Sequence, residues 1–219
     1  LPVNNGRFNF DFIQFTYYRD DAIALEAFKA GDYDYRQERS AARWATQYNF
    51  PAIKKGDVIR ETVSKRTPAG LNALVFNLRK SFFADIGVRK ALNLAFDFEW
   101  INRALLHQAY TRTRGMFDNS ELSANGLPSN AELLLLNPWR KMLPNQLFLA
   151  PFEPVTTDGS GAERLNLRKA TKLLKKSGFS IQNKTLVGPN GVPVEIEITL
   201  RRRSNEKIAL AFARNLKKL

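Results

Sequence analysis

The sequence contains no cysteine. That excludes disulfides, thiol nucleophiles and thiolate metal sites together, and it suits a periplasm or a cytoplasm equally. There is one histidine, His107. A histidine-built metal site is therefore excluded, and a Ser-His-Asp triad would have to use that single imidazole. No run of about 18 apolar residues occurs, so no transmembrane helix is expected. Neither the phosphate-cradling GxxxxGK[ST] pattern nor an internal repeat is present. The chain starts Leu1-Pro2-Val3, with no signal peptide, and stops within the helical pattern IALAFARNLKKL. We read it as a fragment, so the missing signal carries no information on location. Acid is also scarce. Asp and Glu number 21 against 34 Lys and Arg, a formal net charge of +13. Polyanions or an anionic membrane surface become candidate partners, beside the simpler reading of a basic surface with no specific partner.

What is present is enough for a packed core. The chain is 44% hydrophobic and 11% aromatic over 219 residues, above the level of disordered chains. Asp20 or Asp21 is placed to cap a helix through Phe28, ended by Gly31. Tyr33–Arg36 reads as a short strand. Ser40 opens a second helix, SAARWATQYNF, which Pro51 is expected to stop. Val58–Lys65 reads as an edge strand. Leu71–Leu78 is apolar on both faces, which suits a strand covered on both sides. Asp85 caps a helix in which Val88, Ala91, Leu92 and Ala95 recur at helical spacing, and Asp97 caps a shorter one. Residues 111–161 are irregular, with Pro128, Pro138, Pro144 and Pro151 and one helical piece, Ala131–Leu136. Asn166 is expected to cap a helix to Lys176, ended by Gly178. Thr185–Val187 and Pro193–Leu200 are expected to form a hairpin about Asn190-Gly191, and Ser204 to cap the last helix. Hairpins mixed with crossover helices give an α/β or mixed α+β class, as one domain over 1–219.

Little of this chemistry is catalytic. Asp32 and Asp34 read as a solvated turn rather than an acid–base pair. His107, at a helix end, suits the dipole there. Asp158-Gly159-Ser160-Gly161 is a weak phosphate-loop match with no clear strand before it. Lys169, Lys172, Lys175 and Lys176 form one wet helix face. Three arginine-rich places are better candidates for ligand contact. Arg201, Arg202 and Arg203 leave a strand just before the Ser204 helix, where guanidinium forks and free N–H groups would meet a carboxylate or phosphate. Tyr110, Arg112 and Arg114 interleave an aromatic, hydroxyls and guanidinium groups in a loop after a helix. Arg43 and Trp44 are the third. The alternative for all three is an exposed arginine with no ligand. No catalytic residue, metal ligand or cofactor is assigned.

The stretch FNLRKSFFADIGVRKALNLAFDFEWI resembles the family 5 extracellular solute-binding proteins. The shared pattern is a strand ending in Asn77, a link with Phe83 and Asp85, then Val88-Arg89, Ala91-Leu92, Ala95 and Asp97. ALEAFKAGDYD at 24–34 is similar to the family's ALxxGxxD unit, and RKATKLLKKSGF at 168–179 to its AxxLLxxAG helix. YTRTR at 110–114 and the TDGSG loop look closest to the Yej-type oligopeptide-binding subgroup. The resemblance implies one lobe of a two-lobed periplasmic-binding-protein fold of the type II, large peptide-binder class, closing on peptide like a hinged trap. The first lobe is not in this chain, nor is the Asp that holds the peptide amine in family members. Arg201–Ser204 and Tyr110–Phe117 correspond to cleft-facing loops. The implied protein is the peptide-binding component of an ABC importer: periplasmic, monomeric, not an enzyme, with a peptide ligand and permease subunits as partners. It would meet the membrane through the permease alone, and it is not expected to bind nucleic acid. A basic nucleic-acid-binding domain is the alternative from another class, on pI ≈ 10.1 and the Arg-aromatic loops.

Overall fold

The computed structural model describes residues 2–7, 9–64 and 67–219. The chain gathers into two compact units, Leu1–Thr62 and Val63–Leu219.

In the first unit Asp20 caps α1 (Asp21–Ala30), its Oδ1 accepting the N–H groups of Ala22 at 2.7 Å and Ile23 at 3.3 Å. Gly31, at φ 87°, closes the far end. Ser40 caps α2 (Ala41–Gln47). Pro51 does not stop this helix. It takes the first position of α3 (Pro51–Lys55), where its fixed φ is favourable and its missing N–H costs nothing. Leu25, Phe28, Tyr48 and Phe50 form the core, with Phe28 and Phe50 edge to face at 6.2 Å. Tyr33–Arg36 and residues 58–64 are not strands. Among the described residues neither has a partner strand, and Tyr33 instead packs on the core with its hydroxyl donating to the Ala24 carbonyl at 2.6 Å. Lys65, the end of the expected edge strand, lies outside the described residues.

The second unit is built on helix packing. α4 (Ser81–Ala84) leads into α5 (Ile86–Leu94), capped by Asp85 through the N–H groups of Gly87 and Val88. α6 (Phe98–Leu105) follows, capped by Asp97 through Trp100 N–H at 3.0 Å. α7 (Asn130–Leu136), with a Ser129–Glu132 capping box, and α8 (Gln146–Leu149) interrupt the proline-rich stretch. α9 is Arg164–Lys176. Its N-cap is Glu163, not Asn166. Asn166 lies inside the helix, buried, its side-chain amide donating to the Thr156 carbonyl at 3.1 Å. The main core is the contact of α5 with α9. Val88, Ala91, Leu92 and Ala95 meet Leu167, Ala170 and Leu174, walled by Phe83, Phe179 and Phe212. Ala91 and Ala170 are fully buried, and small side chains there let the helices approach closely. At the other end of the pair Gly87 has no Cβ because one would sit 2.5 Å from Ser177 Oγ, which donates to Asp85 at 3.1 Å. α10 (Glu206–Leu216) is tied on by buried Asn215, whose amide donates to the Ala95 carbonyl at 3.0 Å.

The sheet is smaller than the sequence suggests. β1 (Ser180–Gln182) and β2 (Thr185–Val187) pair antiparallel, with Ile181 opposite Leu186. Their turn is Asn183-Lys184, both at positive φ. The expected Asn190-Gly191 turn does form, with Gly188 N–H donating to the Val192 carbonyl at 2.9 Å. Pairing beyond it stops at one bridge, Val187 to Pro193. Leu71–Leu78 is not a strand. It has no partner among the described residues, and Leu71, Leu74, Val75 and Leu78 are exposed, Val75 at 88%. The fold is mixed α and β with a small sheet, and among the described residues no helix is long and apolar enough to cross a membrane.

Candidate functional site

The loop after α6 carries the most constrained of the candidate side chains. Asn102 clamps it at Tyr110: the side-chain amide donates to the Tyr110 carbonyl at 2.7 Å, and the Tyr110 N–H returns a bond at 3.2 Å. The Tyr110 ring stays exposed. Arg112 then folds back. Its guanidinium lies 4.9 Å from the Phe96 ring centre and 5.5 Å from Phe98, and donates to Asn93 Oδ1 at 3.2 Å. Burial pushes its pKa down, partly offset by the charge of Glu99. Arg112 thus spans the α5–α6 junction as a stacked cation, a geometry that holds a loop as well as it would a ligand. Arg114 is looser. It pairs with Glu153 at 3.4 Å, while Asp118 receives the N–H groups of Arg114 and Gly115.

Arg201, Arg202 and Arg203 are exposed. Arg203 makes a long pair with Glu206 at 3.9 Å, and the side chains of the other two make no ion pair or hydrogen bond among the described residues. Ser204 does not cap α10. Residues Arg203–Asn205 form a 3-10 turn and Asn205 takes the cap position without a side-chain bond. The expected meeting of guanidinium groups with a capped helix end is therefore displaced by a turn. Trp44, in the first unit, lies 5.2 Å from Tyr48 with the Arg60 guanidinium 5.0 Å above its ring. Arg43 is committed to Asp21 and Glu38. None of the eight candidates lines either of two concavities of the second unit. One, about 580 Å³, lies beside Asn137, Arg140 and Asn145. The other, about 400 Å³, is an apolar groove among Phe82, Leu92, Leu174, Leu186, Val194 and Ile196.

Sequence reasoning missed the role of the Thr156–Gly161 loop. The Thr157 hydroxyl donates to Asp97 Oδ1 at 2.5 Å, and Thr157 N–H donates to Glu99 Oε2 at 3.1 Å. Arg103 donates to the Gly159 carbonyl, and Asp158 N–H to Glu163 at 3.2 Å. Gly161 is at φ 77° and a Cβ there would meet the Trp100 ring at 2.8 Å. Asp97 is 2% exposed, and its Oδ2 is the one buried side-chain polar atom without a partner among the described residues. Burial, a carboxyl–carboxylate hydrogen bond with Asp158 and the charges of Asp97 and Asp158 push Glu163 up. The loop that resembled a phosphate cradle is a clamp joining α6 to α9, lined by carboxylates and so unsuited to a phosphate. Spacing gave no sign of this, since the partners are about sixty residues apart.

Across residues 3–219 the chain matches the model of the bacterial extracellular solute-binding proteins, family 5. The chain belongs to this family. Its motif has a structural meaning here: Asp85 and Asp97 cap, Arg89 donates to the Phe83 and Ala84 carbonyls at 2.8 Å each, and Val88, Leu92 and Ala95 form the α9 contact. Family 5 relatives include the uncharacterized protein YejA of Escherichia coli K12, 41% identical over 220 residues. Two from Agrobacterium fabrum are the peptidoglycan-binding protein YepA, 38% identical over 224 residues, and a probable peptide-binding protein YejA, 36% identical over 222. The alignments take in 100%, 99% and 100% of this chain and 36% of each relative. The chain thus spans about a third of the length of these curated relatives.

Proposed function

We propose that this chain is one lobe of the substrate-binding protein of an ABC importer, which captures oligopeptides in a cleft between two lobes and delivers them to permease subunits. The observation that carries this reading is the family 5 match across residues 3–219. The names of two relatives, one peptide-binding and one peptidoglycan-binding, support a ligand of that kind. On this reading the protein works in the periplasm as a monomer and catalyses nothing. The ligand's backbone is held by hydrogen bonds, while its side chains sit in watery pockets that impose little sequence choice. Arg201, Arg202 and Arg114 are free enough to reach a peptide carboxylate. Arg112 aims the 110–114 loop rather than touching ligand itself.

Native mass spectrometry of the full-length protein as purified tests the reading. A ladder of small peptide masses, lost on unfolding, is expected. A clean apo mass that persists with a mixed peptide library and shifts instead with short DNA would overturn it. The same spectra on R201A, R202A and R114A variants report the arginines: unchanged peptide retention in all three would remove them from the site.

A further inference from the structure

The exposed face of α9 carries Arg164, Arg168, Lys169, Lys172, Lys175 and Lys176. At the 100° per residue of an α-helix these six lie within an arc of about 140°, along a line of about 20 Å. Leu165 lies within that arc, in the first turn of the helix, and is 69% exposed. The opposite arc holds Asn166, Leu167, Ala170 and Leu174, all buried. The helix contains no acidic residue, and none of the six cations makes an ion pair among the described residues. Its N-cap, Glu163, is turned to the Asp158 loop.

This charge pattern works against the helix that carries it. Arg164, Arg168, Lys172 and Lys176 are successive like-charge neighbours at i,i+4. Arg164 also sits at the positive end of the helix dipole, where acids are favoured. Helix stability therefore does not explain the stripe. Nor does it suit an apolar cover, because burying six unpaired cations is prohibitive.

We propose that this face of α9 docks the protein directly on anionic phospholipid headgroups, with Leu165 seated among them. The charge is delocalised along a straight helix, as suits a diffuse anionic surface. Nucleic acid fits less well, since the arc offers no aromatic side chain for stacking and no amide to read a base. Such docking would hold the binding protein near the membrane independently of any contact with a permease. The biological setting rests on the importer reading, but the contact itself does not.

The test is sedimentation of the full-length protein with vesicles of phosphatidylcholine alone or with about one-third phosphatidylglycerol, at low and high salt. Binding to the anionic vesicles at least tenfold above the neutral ones is expected, and it should fall steeply with salt. An R168E/K172E/K176E variant should lose it. An R201E/R202E/R203E variant, with the same change in net charge, should keep it. Equal loss in both variants would reduce the effect to net charge and overturn the proposal. Absence of anionic preference in the wild type, or tighter binding to duplex DNA than to the vesicles, would also overturn it. Peptide retention by the α9 variant, read by native mass spectrometry, separates the two readings: it fails only if the protein is not a peptide binder or has unfolded, and circular dichroism reports the latter.

Discussion

Glu38 shows how a single buried charge can organise a small unit. Its side chain is 1% exposed and sits between two arginines. Arg43 Nε donates to it at 3.2 Å and the Tyr48 hydroxyl at 3.0 Å, while the Ser40 N–H approaches to 2.7 Å. Burial alone would push this carboxyl up. The bonds from Ser40, Arg43 and Tyr48 outweigh it and hold Glu38 below the usual range. Removing it by E38A leaves Arg36 and Arg43 sharing the exposed Asp21 as their acid partner, and a cost of about 3 kcal/mol in urea unfolding is expected. Because the folded-state pKa is depressed, the stabilisation is present above the ordinary Glu value and is lost as pH falls through the folded one. Trp44, which packs against Tyr48, provides the local fluorescence signal. An acid-side loss as large in E38Q as in wild type would show that another group carries it. Glu38's partners, Arg36, Ser40, Arg43 and Tyr48, lie within ten residues of it, but no spacing rule singles out a carboxylate that folds inward among them.

Helix ends were legible, and sheet pairing was not. Asp20, Ser40, Asp85 and Asp97 cap as their positions predict, since a cap is a bond to an N–H two or three residues away. Ser204 and Asn166 have the right chemistry but lose the cap position to tertiary contacts and a 3-10 turn. Strands need a distant partner, so Tyr33–Arg36 and Leu71–Leu78 read as β without becoming it. The α6–α9 clamp belongs to the same class of long-range feature and yields a prediction for those elements. Glu163 is pushed up by burial, Asp158 and Asp97, with Glu99 and Arg103 also in the clamp. Its contribution is therefore full below the ordinary Glu value and lost as pH rises through the folded pKa. Asp158, held down by Ser160 and Glu163, acts oppositely and at lower pH. As pH rises above the ordinary Glu value the Trp100 environment in wild type should loosen, whereas E163Q should stay constant. An identical pH response in both, read by Trp100 fluorescence in a variant lacking Trp44 and Trp139, would discharge Glu163 from the role.

At the scale of the molecule, the bare segment 71–78 is the most informative mismatch between pattern and structure. Leu71, Leu74, Val75 and Leu78 are exposed on a stretch with no pairing partner among the described residues. One side is already anchored, since Phe76 stacks on Phe83 at 5.2 Å and packs against the α5–α9 core. Apolar surface of this kind is costly in water, and the unpaired backbone beside it is a ready template for another strand. The chain spans 36% of its relatives' length, and a lobe completed by further chain would supply that strand. Hydrogen exchange on the full-length protein decides the point. Amides of 71–78 should exchange as slowly as those of α5, because a strand paired on both edges opens only with the surrounding core. Exchange at the rate of an unstructured peptide would mean that the segment stays unpaired. The one-lobe reading would then fail, even though the family assignment stands. Slow exchange would instead place 71–78 as an interior strand directly beneath the α5 motif and explain why the family's pattern runs unbroken from one into the other: the strand and the helix would be two faces of a single core, completed from outside this chain.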